Sequence, residues 1–319
     1  MNPTLPDLAG EFGAAAEKAV VAGGGTDLAR RAEADPRLRA AEAGRVMQEL
    51  GTADLDPASG LDAAAAAGEL CRVAGRYALP FPVVPHLLRD RDGIPLAVVG
   101  GDRLRADHGD MYPAWTLCGL GGTARSGRPA GEPLRSKLGP FVTSMEADPG
   151  SRTGPVDALA VPLALTLQAW RVLGTVERAI ELAVGHVTGR EQFGQPLSGF
   201  QAVQFQLADA AVGRDGLREM CRFTTWRLFA EPGGALVDAL ALRLHACDVA
   251  RAALRTSQQL FGASGLCDEY DISVLCRHVQ ADLRLPFGAE RTAAELFDAV
   301  VRDGFHGLFP HGGRRDGRP

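Results

Sequence analysis

The core-type side chains Val203, Leu207, Ala210, Leu217, Cys221, Thr224 and Leu228 follow one another in alternating steps of four and three, with Arg214 as the one interruption. Only an α-helix gathers positions so spaced onto one stripe, and a stripe of that length must be covered by other helices. The block before it, residues 157–189, is apolar on most faces, which predicts a helix in the centre of a bundle. The block after it, Ala235 to Phe261, repeats the pattern through Leu236, Leu240, Leu244, Cys247, Leu254 and Phe261. Short breaks such as Pro232-Gly233-Gly234 separate the blocks, so the prediction is an up-and-down helical bundle.

The rest of the chain is organised around that bundle. Residues 1–90 read as a helical segment, with alanine-rich helices at Ala14–Ala22 and Leu61–Val73 and loops at Gly23-Gly24-Gly25 and Asp54–Gly60. The triple glycine reads as a flexible connection; no Gly-Lys-Ser/Thr follows it, so it is not a phosphate loop. Residues 91–152 are rich in Pro and Gly and carry β-like pieces at Leu96–Val99 and Pro140–Thr143, which predicts a small middle β domain. The bundle then occupies 153–303, with shorter helices at 272–284 and 289–303, and 304–319 is a flexible tail. The predicted class is therefore mostly α with a small β middle region.

Composition narrows the function classes. A net charge of −5 gives no electrostatic ground for nucleic-acid binding, and the Arg314-Arg315 pair is too short to change that. No apolar run approaches the roughly 20 residues of a membrane span, and the N-terminus lacks a secretory pattern, so a cytoplasmic location is expected. Six scattered cysteines without a Cys-x-x-Cys pair predict reduced, buried thiols and no metal site.

Two polar clusters interrupt the helices. The first is Arg190-Glu191-Gln192-Phe193-Gly194-Gln195-Pro196-Leu197, followed by Phe200-Gln201. Arg190 can fork onto a pyrophosphate, Gln201 can pair with an adenine or ribose edge, and Gly194 ends one helix so that the chain can turn. The second is Gln259-Leu260-Phe261-Gly262-Ala263-Ser264-Gly265, in which a glycine turn at a helix end admits a ligand close to the backbone, although Gly262 can equally be a helix cap. His186, one turn before Arg190, and His245, in the third helix, read as packing residues.

Together, in this order, the two clusters closely resemble the signature of the FAD-dependent acyl-CoA dehydrogenases, over about residues 155–300. The resemblance implies that fold: a helical N-terminal part, a shortened β domain and a C-terminal helical bundle. It implies FAD as cofactor and identifies Arg190, Gln192, Phe193, Gln201, Gln259, Gly262 and Ala263 as matches to flavin-contacting positions, with Ala263 replacing a glycine. In that family both clusters reach a flavin held mainly by the neighbouring subunit. The family's reaction is α,β-desaturation of an acyl-CoA, in which a glutamate removes the α-proton and the β-hydride passes to the flavin.

That glutamate stands at one of two places in homologues, and neither carries an acid here. Counting from Arg277-His278 gives Pro286, or Phe287; counting 26 residues back from Arg190 gives Ala164, followed by Leu165 where an arginine is common. The middle region also lacks the family's Thr-Glu-Pro and Trp-Ser/Thr type segments, since Trp115 sits in Pro113-Ala114-Trp115-Thr116-Leu117. The chain therefore resembles the non-catalytic, β-type subunit of the heteromeric α2β2 acyl-CoA dehydrogenases that actinobacteria use on steroid-derived CoA thioesters. The implied partners are a longer catalytic subunit that supplies most of the FAD and acyl-CoA sites, and an electron-transfer flavoprotein or similar acceptor. Two alternatives stay open: a homomeric enzyme in which Glu290 or Asp282 serves as a displaced base, each reading more simply as a solvated helix-end charge, and a flavin-free scaffold.

Overall fold

The computed structural model describes residues 6–101, 103–133, 137–149, 151, 154–230 and 233–304; Pro232, the Arg314-Arg315 pair and nearly all of the predicted tail lie outside them. The N-terminal helices are α1 (Asp7–Ala22), α2 (Gly25–Ala34), α3 (Gly44–Glu49), α4 (Leu61–Arg76) and the short α5 (Val83–Leu87). Strands β1 (Leu96–Val98), β2 (Arg105–Asp107), β3 (Trp115–Cys118), β4 (Ala124–Pro129) and β5 (Val142–Ala147) follow. The bundle comprises α6 (Ala160–Gly189), α7 (Gln201–Ala230), α8 (Ala235–Phe261), α9 (Asp271–Arg284) and α10 (Ala289–Asp303).

Helix α6 is the axis of the molecule. Its residues are buried on nearly every side through most of its 30-residue length, as an all-round apolar helix requires. Pro162 lies in its first turn, where the amides have no partner inside the helix, and Asp157 accepts a hydrogen bond from the Leu159 amide at 2.8 Å just ahead of it. Against α4 the two backbones almost touch. A Cβ on Gly75 would lie 1.8 Å from the Arg171 carbonyl oxygen, and one on Gly174 would lie 1.7 Å from the Arg72 carbonyl oxygen. Thr175 Oγ1 donates to the Gly75 carbonyl at 3.1 Å across the same crossing. Two turns back along α4, Gly68 clears space for the indole of Trp170, whose Nε1 donates to Thr225 Oγ1 on α7 at 3.0 Å.

The predicted seam of α7 is buried at Ala210, Leu217, Cys221, Thr224 and Leu228, whereas Val203 and Leu207 are only half-buried. Arg214, the interruption, is half-buried and bonds Asp215 at 2.9 Å. Charges inside the packing are matched: Glu177, 5% exposed, receives Arg72, Arg76 and Arg218 at 2.9–3.2 Å. Burial raises the pKa of this carboxyl, and the guanidiniums of Arg72 and Arg218 outweigh it, so it stays below the ordinary glutamate value.

Three expectations change. The triple glycine is a tight corner, not a flexible link: Gly24 and Gly25 have φ of 112° and 53°, and a Cβ on Gly23 would meet Val46 at 2.7 Å. Glycine is needed there for its conformation and its small size. The middle region holds a five-stranded sheet of order β1-β3-β4-β5-β2, antiparallel except for β1 beside β3, where sequence patterning indicated only two pieces. Trp115, the first residue of β3, is buried and donates its Nε1–H to the Gly109 carbonyl at 2.8 Å. All six cysteines are free, as expected, but Cys267 is exposed and Cys276 half-buried. Among the described residues no helix is long and apolar enough to cross a membrane, and no group of acidic, His or Cys side chains could hold a metal.

Candidate functional site

Helix α6 ends at Gly189 and Arg190 leaves it in extended conformation, with φ −93° and ψ 120°. A two-stranded hairpin follows, β6 (Glu191–Gln192) against β7 (Gln195–Pro196), closed by the Leu197 amide donating to the Arg190 carbonyl at 2.8 Å. Its two turn residues, Phe193 and Gly194, have φ of 55° and 81°. Two positive φ angles in succession make the tight turn that matches strand twist. Gly194 therefore serves this hairpin turn, not the helix end assigned to it from the sequence. Phe193 stays in the left-handed region at a cost of about 1 kcal/mol while its ring is 91% exposed.

The second cluster is at the same end of the bundle. Gly262 caps α8 with φ 60° and ψ −139°, a cap that glycine adopts without strain. The two clusters are joined by a ring contact. His186 on α6 stacks on Phe261 on α8, with centroids 4.2 Å apart and planes at 20°. Burial lowers the pKa of His186, and Arg190 reinforces the effect, so this ring is a neutral packing group at pH 7. His245 is half-buried.

Arg190, Gln192, Phe193, Gln201, Gln259, Gly262 and Ala263 are all exposed. Among the described residues the side chains of Arg190, Gln192, Gln201 and Gln259 form no hydrogen bond or ion pair, so their donors and acceptors are free for a ligand. Gln259, Gly262 and Ala263 line a wide groove of about 1060 Å³ between α8, α9 and the start of α10. A group with a pyrophosphate and an adenosine fits these residues: the amides can address base or ribose edges and Arg190 can address phosphate oxygens.

The candidate base positions lie elsewhere, and they converge. Ala164, Leu165 and Pro286 line one cavity between the sheet and the bundle, with a volume of about 70 Å³. Pockets for cofactors and substrates span roughly 300–1,000 Å³, so this cavity is too small for either. A buried chain of charges lies along it. Arg39 forms an ion pair with Asp110, and its Nη1 is 3.4 Å from His108 Nδ1. His108 Nε2 is 3.6 Å from Asp107, and Arg171 is 3.4 Å from Asp107 and 3.3 Å from Asp282.

Asp282 was expected as a solvated helix-end charge; it is buried inside α9 instead, because its side chain faces Arg171. Burial pushes its carboxyl up to about 6, and Arg171, shared with Asp107, offsets only part of this. His108 is driven down to about 3 by burial, with Asp107 opposing and Arg39 and Arg171 reinforcing, so the imidazole is neutral. Glu290 is exposed on the wide groove, as a solvated charge should be, and does not line the cavity. Sequence reading missed this charge chain. Its one available signal was Arg171 inside an otherwise apolar helix, since a buried guanidinium needs a carboxylate.

Comparison with known proteins agrees with the geometry. Residues 166–292 match the family described as acyl-CoA dehydrogenase, C-terminal domain. The mitochondrial isobutyryl-CoA dehydrogenase of Dictyostelium discoideum is 36% identical over 130 residues, which is 41% of this chain and 29% of that protein. Sequence matches span less than a third of the length of the curated relatives. Among solved structures, the ChsE4-ChsE5 complex from Mycobacterium tuberculosis superposes with a TM-score of 0.76 at 18% identity, covering 94% of this chain and 99% of that one. A Tcur3481-Tcur3483 steroid ACAD variant gives 0.75 at 20% identity, again over 94% and 99%. The chain thus has the acyl-CoA dehydrogenase fold, and its residues 166–292 match that family's C-terminal domain.

Proposed function

We propose that this chain is the non-catalytic partner subunit of a heteromeric, FAD-dependent acyl-CoA dehydrogenase, lending its exposed residues to a flavin held mainly by a longer catalytic subunit. One observation carries the reading. The residues suited to a cofactor all face outward, while both positions where a base would stand meet in a cavity of about 70 Å³ walled by Ala164, Leu165 and Pro286. An outward set of free amides and a guanidinium serves a ligand that another molecule brings. The α7 stripe that begins at Gln201 continues through Phe205 and Val212, 60% and 73% exposed, and with Phe193 it leaves apolar surface for such a molecule to cover.

When bound, the flavin supplies the hydride acceptor for desaturation of an acyl-CoA. Within this proposal the chain's part is to position: Arg190 answers the pyrophosphate charge, and Gln201 and Gln259 fix the adenosine by hydrogen bonds. The substrate class follows the ChsE4-ChsE5 and steroid ACAD likenesses, a bulky, steroid-derived acyl-CoA, with an electron-transfer flavoprotein as acceptor.

The test is co-expression with a longer acyl-CoA dehydrogenase chain from the same genome. The complex should hold one flavin per pair of chains, two in an α2β2 tetramer, and Arg190→Ala should release it. Four flavins per tetramer, or retention of flavin by the Arg190→Ala complex, overturns the proposal. A second reading has one observation in its favour: Asp282 lines the cavity with a carboxyl that titrates at about 6, within reach of a general base's working range. Desaturase activity in the isolated chain, lost in Asp282→Asn, would establish that reading instead.

A further inference from the structure

A separate cleft of about 360 Å³ lies where the end of α5, strands β1 and β3 and the start of α6 meet. That volume is within the roughly 300–1,000 Å³ of small-molecule sites. The cleft contains none of the flavin-suited residues, and among the described residues it shares only Leu96 with the small cavity beside Ala164. On its walls Leu87 and Leu163 are buried, while Leu88, Ile94 and Val156 are half-buried. Water against such walls has few hydrogen-bond partners, so an apolar group displaces it favourably.

Three carboxylates from three separate segments border these walls: Asp56 ahead of the helical turn Pro57–Ser59, Asp90 after α5, and Asp157 ahead of α6. All three are exposed, and each uses only Oδ1 within the fold. Asp56 accepts the Ala58 amide at 2.9 Å, Asp90 the Asp92 and Ile94 amides at 3.0 and 2.9 Å, and Asp157 the Leu159 amide at 2.8 Å. Among the described residues no cation pairs with any of them. Arg89 is the sole basic residue among the described lining residues, and its guanidinium is turned to backbone. It donates to the carbonyls of His86 at 2.7 Å, Ala53 at 2.6 Å and Thr52 at 3.3 Å. The cleft is thus an apolar hollow whose border carries three negative charges against one positive.

We propose that this cleft binds an amphipathic monoamine, its apolar body against Leu87, Ile94 and Leu163 and its ammonium at the border with Asp56, Asp90 and Asp157. Both features of the cleft select that class. The apolar chain is buried, and the ammonium supplies the cation that the carboxylates lack. A fatty acid of the same length would bring its own carboxylate against the three aspartates and be repelled. No residue assigned to the flavin takes part, so this inference stands or falls apart from the partner-subunit proposal.

The test uses the purified full chain and calorimetry at low salt, with octylammonium, octanol and octanoate as probes. Octylammonium should bind tightest and octanoate weakest, and added salt should weaken octylammonium. Hexylammonium should bind more weakly, by up to about fourfold for each methylene removed. Asparagine keeps the Oδ1 acceptor that each turn needs and removes the charge. Asp56→Asn, Asp90→Asn and Asp157→Asn should therefore keep the melting temperature. Each should weaken octylammonium by about two- to fivefold, the scale of an exposed ion pair, and leave octanol unchanged. Ala160→Phe, which fills the cleft from the first turn of α6, should abolish binding of both.

Octanol or octanoate binding as tightly as octylammonium overturns the proposal. So does octylammonium binding that the three asparagine substitutions together leave unchanged, which would keep the test decisive even if Ala160→Phe failed to fold. If a bound catalytic chain blocks octylammonium, the occupant is a basic side chain of that chain, and the free-amine proposal falls.

Discussion

His186 on α6 stacks on Phe261 on α8 with ring centroids 4.2 Å apart, and this contact fastens the helix end just ahead of one polar cluster to the interior of the other. Arg190 lies one turn beyond His186, and Gly262 directly follows Phe261. Phe261 also meets Tyr270 edge-on at 5.7 Å, so the ring is held from two sides. His186→Ala should loosen the relative placement of the clusters without removing any ligand contact. The complex should lose flavin several-fold faster during gel filtration, while the melting temperature falls only by the cost of a half-buried ring, about 1 kcal/mol. Flavin content that stays at the wild-type level after this substitution would show that the clusters do not depend on the stack.

The crossing of α4 and α6 predicts the most damaging small substitution. A methyl on Gly75 or Gly174 would enter the opposite backbone, within 1.8 Å of a carbonyl oxygen. Backbone cannot swing aside as a side chain can, so the helices must separate and give up packing along their length. Gly75→Ala and Gly174→Ala should each cost more than about 3 kcal/mol and lower the midpoint of urea unfolding accordingly. Gly185→Ala on the same helix meets nothing within 4 Å and should be neutral or slightly stabilising, since alanine is the better helix former.

How far the fold was legible in the sequence depended on which physical signal each element carries. Helices α6, α7 and α8 announce themselves because 27 to 30 residues of periodic pattern leave little room for another period. Strands β2, β3 and β4 do not. Arg105-Ala106-Asp107 offers three residues with a charge at each end, and both charges point into the molecule to serve Arg171 and the cavity. The outward placement of Arg190, Gln201 and Gln259 was legible from the motif order. The burial of Asp282 was not, because its partner Arg171 is 111 residues away and only the packing of α9 on α6 brings them together.

Asp282 should make stability depend on pH in a defined direction. Its carboxyl titrates at about 6 in the folded chain against 3.8 unfolded, so the folded state holds the proton more tightly. The stability this confers is complete below pH 3.8 and is lost as pH rises to about 6, because ionising a buried acid then works against the fold. The loss corresponds to about 2–3 kcal/mol at most. Asp282→Asn removes the titration. Its melting temperature relative to wild type should therefore rise between pH 4.5 and pH 7. A difference that is flat with pH would mean that Arg171 keeps Asp282 ionised throughout.

The empty base position gives the sharpest separation between a partner subunit and a damaged enzyme. If the chain had merely lost its acid, Ala164→Glu would return a carboxylate to a site otherwise prepared for chemistry. The cavity does not look prepared. About 70 Å³ remains beside Ala164, a water's share of liquid is about 30 Å³, and the walls beside it are Leu165, Pro286 and the charge chain through Arg171. A glutamate there brings four further heavy atoms and a second acid close to Asp282, whose own ionisation burial already opposes. The variant should be less stable by about 2 kcal/mol or more from overpacking and burial of a polar group. It should show no acyl-CoA desaturation alone, with FAD and an artificial electron acceptor supplied. Under the partner-subunit proposal, turnover in the complex should match wild type or fall, since the base would belong to the other chain. Turnover by Ala164→Glu in the absence of any partner would defeat the partner-subunit proposal.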